Sequence, residues 1–465
     1  MSPSFFLVFV IGLPQQVTCH PEGRVVCGPK DLNCPMDAAT KSQPAGLTSA
    51  LRYKFIAILG PDHVHPASPS DEILGVQPKL VVLPGSESEL AEILRLSNEA
   101  GLAVIPRGGG TKISWGNPPA RADLVLSTAR LNNVLEHASS DLTVTVEAGC
   151  TIQKLQETLA QHRQRLAIDP LWPERATVGG ILSTNDSGAL RLRFGSLRDL
   201  IIGVTIALPD GTLASSGGKV VKNVAGYDLP KLVTGALGTL GVITHAVFRL
   251  HPLPHNSRSF SIATAQPNAA RDLILAIQDS KLAHTALQSN FSDEALPASD
   301  ILFEGTEAGL DAQAAHLRHL CQSAEISDAA ATAWNVRQEL WFFSNPAETA
   351  IAKISALPAD LARIIELFHH AADSYRVRWK SLIYATGLGW LRLEGPADNL
   401  KLALTNLRFD LEKKGGFLVV LQRPAKLSAL DAWGTPGDSL PLMKSLKRQL
   451  DPANTLNPAR FLAGI

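Results

Sequence analysis

Cysteine is scarce in this chain, five in 465 residues, and its spacing excludes more than it suggests. Cys19, Cys27 and Cys34 cluster, with His20 beside the first. None of them forms the C-x-x-C pair typical of zinc or iron–sulfur sites, so no metal ligand is assigned. An odd count in a long chain fits a reducing compartment better than a disulfide framework. Charge of one sign is missing as well, since 43 basic residues balance 43 acidic ones. That balance gives no footprint for nucleic acid and no polybasic membrane patch. Long apolar runs are absent too. Residues 5–13 are apolar but too short to span a bilayer, and they lack the basic flank of a secretory signal. Residues 1–36 read as a leader or a mis-assigned start, with Met36 as the alternative first residue.

The common nucleotide signatures are also lacking. Lys112 follows three glycines but is itself followed by Ile113, and Gly217-Gly218-Lys219 is followed by Val220, so neither is a P-loop. No G-x-G-x-x-G opens a helix with an acidic partner downstream. There is no repeat of fixed period and no low-complexity segment. The chain does have 45% hydrophobic and 18% charged residues, a globular balance, with length enough for two or three domains.

Two glycine-rich stretches about seventy residues apart organise what is present. The first is Pro106-Arg107-Gly108-Gly109-Gly110-Thr111, at the end of an apolar β-type run. The second is Thr177-Val178-Gly179-Gly180, followed by the small polar residues Ser183, Thr184, Asn185 and Ser187, and by Gly188. Glycine has no Cβ and tolerates positive φ, so successive N–H groups can turn toward one anion. Two such stretches suggest a long ligand with a pyrophosphate between them.

These motifs, with Val146-Glu147-Ala148-Gly149, Lys222-Asn223-Val224-Ala225-Gly226-Tyr227-Asp228 and Leu237-Gly238-Thr239-Leu240-Gly241-Val242-Ile243, resemble the FAD-binding domain of the vanillyl-alcohol oxidase and p-cresol methylhydroxylase family. Within that family the pattern is most similar to the small FAD-binding subunit of glycolate oxidase. The tail Asp451-Pro452 … Asn457-Pro458 is similar to the family's C-terminal ending. The resemblance implies an α+β fold of two FAD-binding subdomains with a C-terminal α+β cap. It divides the chain into a helical segment at 37–75, an FAD-binding domain at 76–254, a cap at 255–445 and a returning tail at 446–465.

Carried over by position, the resemblance implies that residues 106–111 and Gly149 line the pyrophosphate. Thr177, Val178, Gly179, Gly180, Asn185, Ser187 and Gly188 would meet pyrophosphate and ring, and Gly241, Val242 and Ile243 would approach FAD by main chain. Lys222, Tyr227 and Asn457 are the candidates for the flavin face. Covalent relatives often carry a histidine beside the first glycine loop. Residues 111–115 contain none, so the expectation is non-covalent FAD. The larger catalytic relatives also carry a C-terminal H-x-G-D-G-N-x-H motif that is absent here. His369-His370 lies in a helical pattern and reads as a surface pair. Arg376, Arg378 and Lys380 would share one strand face, where with Arg392 they are able to bind a carboxylate or simply to face solvent.

The functional expectation is an FAD-binding subunit of a 2-hydroxy acid dehydrogenase. It would act with a larger FAD subunit and an iron–sulfur subunit, and be cytoplasmic or peripheral at the inner face of the membrane. A self-sufficient FAD oxidoreductase and an assembly subunit with a vestigial flavin site are the alternatives.

Local patterns place the elements. Residues 47–59 and 86–100 are helical, the latter opened by a Ser86/Glu89 capping box. Residues 79–84, 102–105, 123–127, 142–147, 201–208 and 241–250 are β-type, with a hairpin turn at Pro209-Asp210-Gly211-Thr212, and residues 151–162 form an amphipathic helix. Beyond 255 short strands and helices alternate, which predicts an antiparallel sheet with helices on one face.

Overall fold

The computed structural model describes residues 47–219, 227–322 and 324–465. The three N-terminal cysteines, Met36 and Lys222 therefore lie outside the described residues.

The first helix of the described residues is Ser49–Leu59, capped by the Thr48 side chain and burying Leu51, Phe55 and Leu59. Strand Leu80–Val82 then leads to helix Glu87–Glu99. Ser86 caps this helix by accepting from the Glu89 N–H at 3.2 Å, while the Glu89 carboxylate accepts from Gly85 at 2.7 Å. The reciprocal bond of the expected capping box is thus displaced by one residue. Strands Leu80–Val82, Leu124–Ser127 and Val104–Arg107 are parallel neighbours, and Val64–Pro66 adds an antiparallel edge. Crossover helices bury parallel sheets, which is why these strands read as continuous apolar runs.

A second, five-stranded antiparallel sheet follows, ordered Val134–Ala138, Thr143–Glu147, Val242–Arg249, Ile201–Ala207 and Leu213–Gly217. Its alternation is clear: Val144 pairs with Phe248 and Val146 with Ala246, all facing one core. Helix Ile152–Ala160 contributes Ile152, Leu155 and Leu159 to that core, and helix Val178–Thr184 contributes Val178, Ile181 and Leu182.

The cap is one eight-stranded sheet in which every pairing is antiparallel. Helices Pro267–Asp279, Glu307–Leu320, Leu361–Tyr375 and Ala397–Glu412 bury their apolar stripes against one face. The opposite face carries Leu382, Tyr384 and Trp390, and it packs on Trp115, Leu171 and Ala189 from loops earlier in the chain. Strand His284–Ser292 is absent from the sequence reading, because its inward residues are small and polar as well as apolar. After helix Leu440–Leu450 the tail returns: Val104 N–H donates to Thr455 O at 2.8 Å, and Asn457 N–H to Val104 O at 3.0 Å. Buried Lys447 holds this return by donating to Asp451, Thr239 O and Leu456 O. The tail therefore continues the parallel sheet beside the strand that carries the first glycine stretch.

Candidate functional site

That strand ends at the mouth of a cleft. One wall is residues 106–113, and a second is Thr177, Gly179, Gly180, Ser183 and Thr184. The remaining lining comes from Thr128, Ala148, Leu237, Gly238, residues 241–243, Asn457 and Arg460. The cleft encloses about 700 Å³, counted to its open mouth.

The two glycine stretches build their walls differently. From Gly108 to Lys112 no backbone N–H donates to a described residue. A Cβ on Gly108 would lie 2.1 Å from Thr177 Oγ1, and one on Gly109 would lie 1.8 Å from Arg175 O. Only Gly110, at φ 70°, uses the left-handed region. Glycine here mainly lets two backbones touch, leaving N–H groups free toward the cleft. In the second stretch the N–H groups are already spent. Val178 donates to Cys150 O at 2.9 Å, Gly179 to Ala148 O at 2.8 Å, and Gly180 to Thr177 Oγ1 at 3.3 Å. Thr177 is thus the N-cap of a short helix, and its neighbours form a wall.

The other residues singled out by sequence fall in several places. Pro106, Arg107, Thr111, Gly241, Val242, Ile243 and Asn457 line the cleft. The Arg107 side chain, however, pairs with Asp71 at 2.6 Å, and holds that carboxylate below its usual range against the opposing effect of burial. Asn457 donates to Leu237 O at 2.6 Å and accepts from Arg460 at 3.4 Å, so its side chain fixes the far wall. Gly149, Val178, Asn185, Ser187 and Gly188 stand behind the lining. A Cβ on Gly149 would meet Thr128 O at 1.9 Å, and one on Gly188 would meet Asp169 Oδ2 at 2.3 Å. Asn185 closes its helix at φ 47°, and the Ser187 hydroxyl is buried without a partner among the described residues. Tyr227 is 79% exposed and is not part of the lining. Arg376 ends a helix at φ 52°, while Arg378 pairs with Glu294 and Glu394 and Lys380 with Glu294, both cations exposed. Arg376, Arg378 and Lys380 thus take the solvent-facing alternative, whereas Arg392, its side chain 14% exposed, pairs with Glu394 and donates to Phe342 O at 2.9 Å. His369 and His370 are exposed on their helix.

Some residues of the site escape the glycine pattern. Arg460 is 2% exposed, lines the cleft, and donates to Ile113 O and to Trp115 O at 2.7 Å. No carboxylate among the described residues pairs with it, and burial brings its guanidinium down to about 10. Its only sequence signal was a basic residue three positions after Asn457. Lys112 also lines the cleft, and its ammonium sits 3.1 Å from Asp186, which Arg337 of the cap engages at 3.1 Å. Burial opposes the charge on Asp186, yet Arg337 and Lys112 hold its carboxyl below the usual range. Asp169 differs: burial pushes it up to about 6, offset by Arg337 and by the N–H groups of Ala189 and Leu190. No local pattern links Lys112, Asp186 and Arg337, because the cap brings them together across 151 positions.

The cleft can therefore hold an anionic, elongated group. Its N–H-lined end suits a phosphate, and among the described lining residues the ionisable ones, Arg107, Lys112 and Arg460, are all cations. Among the described residues no cluster of ligating side chains suits a metal ion, and no helix is long and apolar enough to cross a membrane.

Residues 78–217 match the family described as FAD binding domain. The chain is 24% identical to "Glycolate oxidase subunit GlcD" of Bacillus subtilis (strain 168), over 90% of this chain and 97% of that one. It is 28% identical to "D-2-hydroxyglutarate dehydrogenase" of Xanthomonas citri pv. viticola, over 83% and 89%. The solved structure of p-cresol methylhydroxylase with substrate bound superposes with a TM-score of 0.73 at 14% identity, over 90% of this chain and 98% of that one. The chain is an FAD-dependent oxidoreductase with the FAD-binding fold of the p-cresol methylhydroxylase type.

Proposed function

We propose that the chain is the FAD-binding subunit of a glycolate oxidase-type 2-hydroxy acid dehydrogenase and holds FAD without a covalent bond. The observation that carries this is the run of unpartnered N–H groups from Gly108 to Lys112, facing a cleft walled by a second glycine pair. The names of the two full-length relatives, an oxidase subunit for glycolate and a dehydrogenase for D-2-hydroxyglutarate, support the substrate class.

Bound FAD supplies an acceptor for the hydride leaving the hydroxyl-bearing carbon. The rest falls to this chain's residues. Gly108 to Lys112 would bind the pyrophosphate, and Thr177, Gly179 and Gly180 would shape the opposite wall. Lys112 and Arg460 give the cleft a positive potential that favours an anionic cofactor and steadies added negative charge. Asn457 positions Leu237, and Trp115 and Leu171 screen the cap side from water.

Removing the hydroxyl proton requires a base, and neither histidine nor carboxylate occurs among the described lining residues. This supports a larger flavin subunit that completes the reaction and an iron–sulfur subunit that takes the electrons. A second reading, a self-sufficient oxidoreductase, is favoured by the cap cations Arg337 and Lys353, which lie 5.0 and 6.0 Å from the Trp390 ring centre. Anaerobic mixing of the FAD-loaded chain with glycolate or D-lactate separates the two. Bleaching only when the larger subunit is present supports the subunit role, and bleaching by the chain alone supports the second reading. An absence of bleaching in both cases would refute the hydroxy acid assignment.

A further inference from the structure

Strand Val242–Arg249 starts in the lining of the cleft and is irregular just beyond it. Its pairing with Ile201–Ala207 shifts register between Ile243 and His245, which makes Thr244 a bulge residue. Consecutive strand residues ordinarily point to opposite faces. Here the bulge turns two neighbours toward one group. Thr244 Oγ1 donates to Glu87 Oε1 at 2.8 Å, and His245 Nδ1 meets the same oxygen. A carboxylate only accepts, so Nδ1 is the donor, while Nε2 of the same ring lies 3.0 Å from Thr205 Oγ1.

Both sides of this contact lead to a wall of the cleft. Glu87 is the first residue of helix Glu87–Glu99, which packs Leu90, Ile93 and Leu94 against the parallel sheet. The strand after that helix runs into Gly108. On the other side, Val242 and Ile243 line the cleft themselves. The Thr244 carbonyl accepts from the Ala148 N–H at 2.8 Å, and the Ala148 carbonyl accepts from the Gly179 N–H at 2.8 Å. Ala148 and Gly179 are both in the lining. The bulge is therefore bonded to the second glycine wall, and Glu87 ties it to the helix behind the first. Cohesion does not require a polar contact here, because Leu90, Val104, Leu124, Ala207 and Val242 already share one apolar cluster across the same boundary. The Glu87 and His245 side chains are 31% and 24% exposed, at the rim of that cluster.

We infer that Glu87, Thr244 and His245 form a latch that fixes the spacing of the two cleft walls and thereby sets how long FAD stays bound. They are positioning residues, since none of the three lines the cleft. One carboxylate oxygen on the side of the first wall holds the bulge from which the second wall is hung. A hydrogen bond to an ionised acceptor is among the stronger kinds, so two of them resist parting of the walls. An elongated ligand gripped along both walls leaves only as they part. The inference rests on FAD occupying this cleft, and the experiment below separates the two.

The test is the rate at which the FAD-loaded chain loses its cofactor on dilution, followed by flavin fluorescence. Glu87→Ala and His245→Ala should each release FAD roughly tenfold faster or more. Two amides then decide what the histidine does. His245→Asn puts an N–H where Nδ1 stands, keeps the bond to Glu87, and should hold FAD nearly as wild type does. His245→Gln puts its amide where Nε2 stands, keeps only the Thr205 contact, and should release FAD as the alanine variant does. General loosening of the fold would move both amides alike, so the split between them marks a latch, and the FAD-free forms of the two should melt together. Release at the wild-type rate by Glu87→Ala and His245→Ala, or equal rates in the two amide variants, would overturn the inference and leave the cofactor assignment standing. A folded wild-type chain that takes up no FAD would overturn both.

Discussion

The two glycine stretches look alike in sequence and do opposite things in the fold. From Gly108 to Lys112 the chain is irregular, and its N–H groups stay available. From Val178 to Gly180 it is helical, and the same groups are consumed by Cys150 O, Ala148 O and the Thr177 cap. The first stretch leaves its N–H groups to the cleft while Gly108 and Gly109 let it press on Thr177 and Arg175, and in the second Gly179 packs its helix against Ala148. Glycine content alone therefore does not separate a ligand cradle from a packing surface. What separates them is where each N–H group goes.

The largest effect should come from breaking the joint between the stretches. Asp186 follows the second stretch and binds Lys112 from the first, with Arg337 from the cap. Asp186→Ala strands two buried cations, so unfolding in urea should show a loss of about 3–5 kcal/mol. Next comes Gly109→Ala, whose methyl would meet Arg175 O, a backbone atom unable to swing away. A loss of about 1–3 kcal/mol, with FAD uptake abolished, is expected from melting curves and flavin fluorescence. Gly180→Ala sharpens the contrast. Its Cβ would lie 3.1 Å from Thr177 Oγ1 and near nothing else, so the stability of the FAD-free chain should change by less than about 1 kcal/mol. Removing the cap itself, Thr177→Ala, should cost about 1 kcal/mol in the same assay.

The smallest effect is a pH slope. Asp169 is raised from 3.8 to about 6 in the folded chain, so the folded state binds its proton more tightly than the unfolded state does. Its contribution is fully present below about 3.8 and is lost as pH rises through about 6. Comparing the stability of wild type with Asp169→Asn between those values should show a relative loss in wild type on going from acid to neutral. Parallel curves would contradict that sign.

Much of the architecture was legible because it is local. The 143–147 strand alternates, residues 151–160 carry a 3.6-residue stripe, and Thr151, Ser86 and Thr48 announce their helices as caps. The cleft wall at 106–111 was legible for the same reason, a strand running into three glycines. The helix at Val178–Thr184 was hidden, since two glycines disfavour a helix and only its Thr177 cap and buried Ile181 and Leu182 hold it. The roles of Lys112, Arg460 and Lys353 were not readable at all. Lys112 depends on Asp186, which Arg337 engages across 151 positions, Arg460 on Ile113 O, 347 positions earlier, and Lys353 on its place opposite Trp390 in the sheet register.

Isothermal titration of the folded, flavin-free chain with FAD tests the central claim most directly. The account predicts tight one-to-one uptake by wild type, uptake abolished in Gly109→Ala, and yellow colour released to the supernatant on acid precipitation. A folded wild-type chain that takes up no FAD, or a Gly109→Ala chain that binds it as wild type does, would contradict the assignment of the Gly108–Lys112 backbone as the cofactor's cradle.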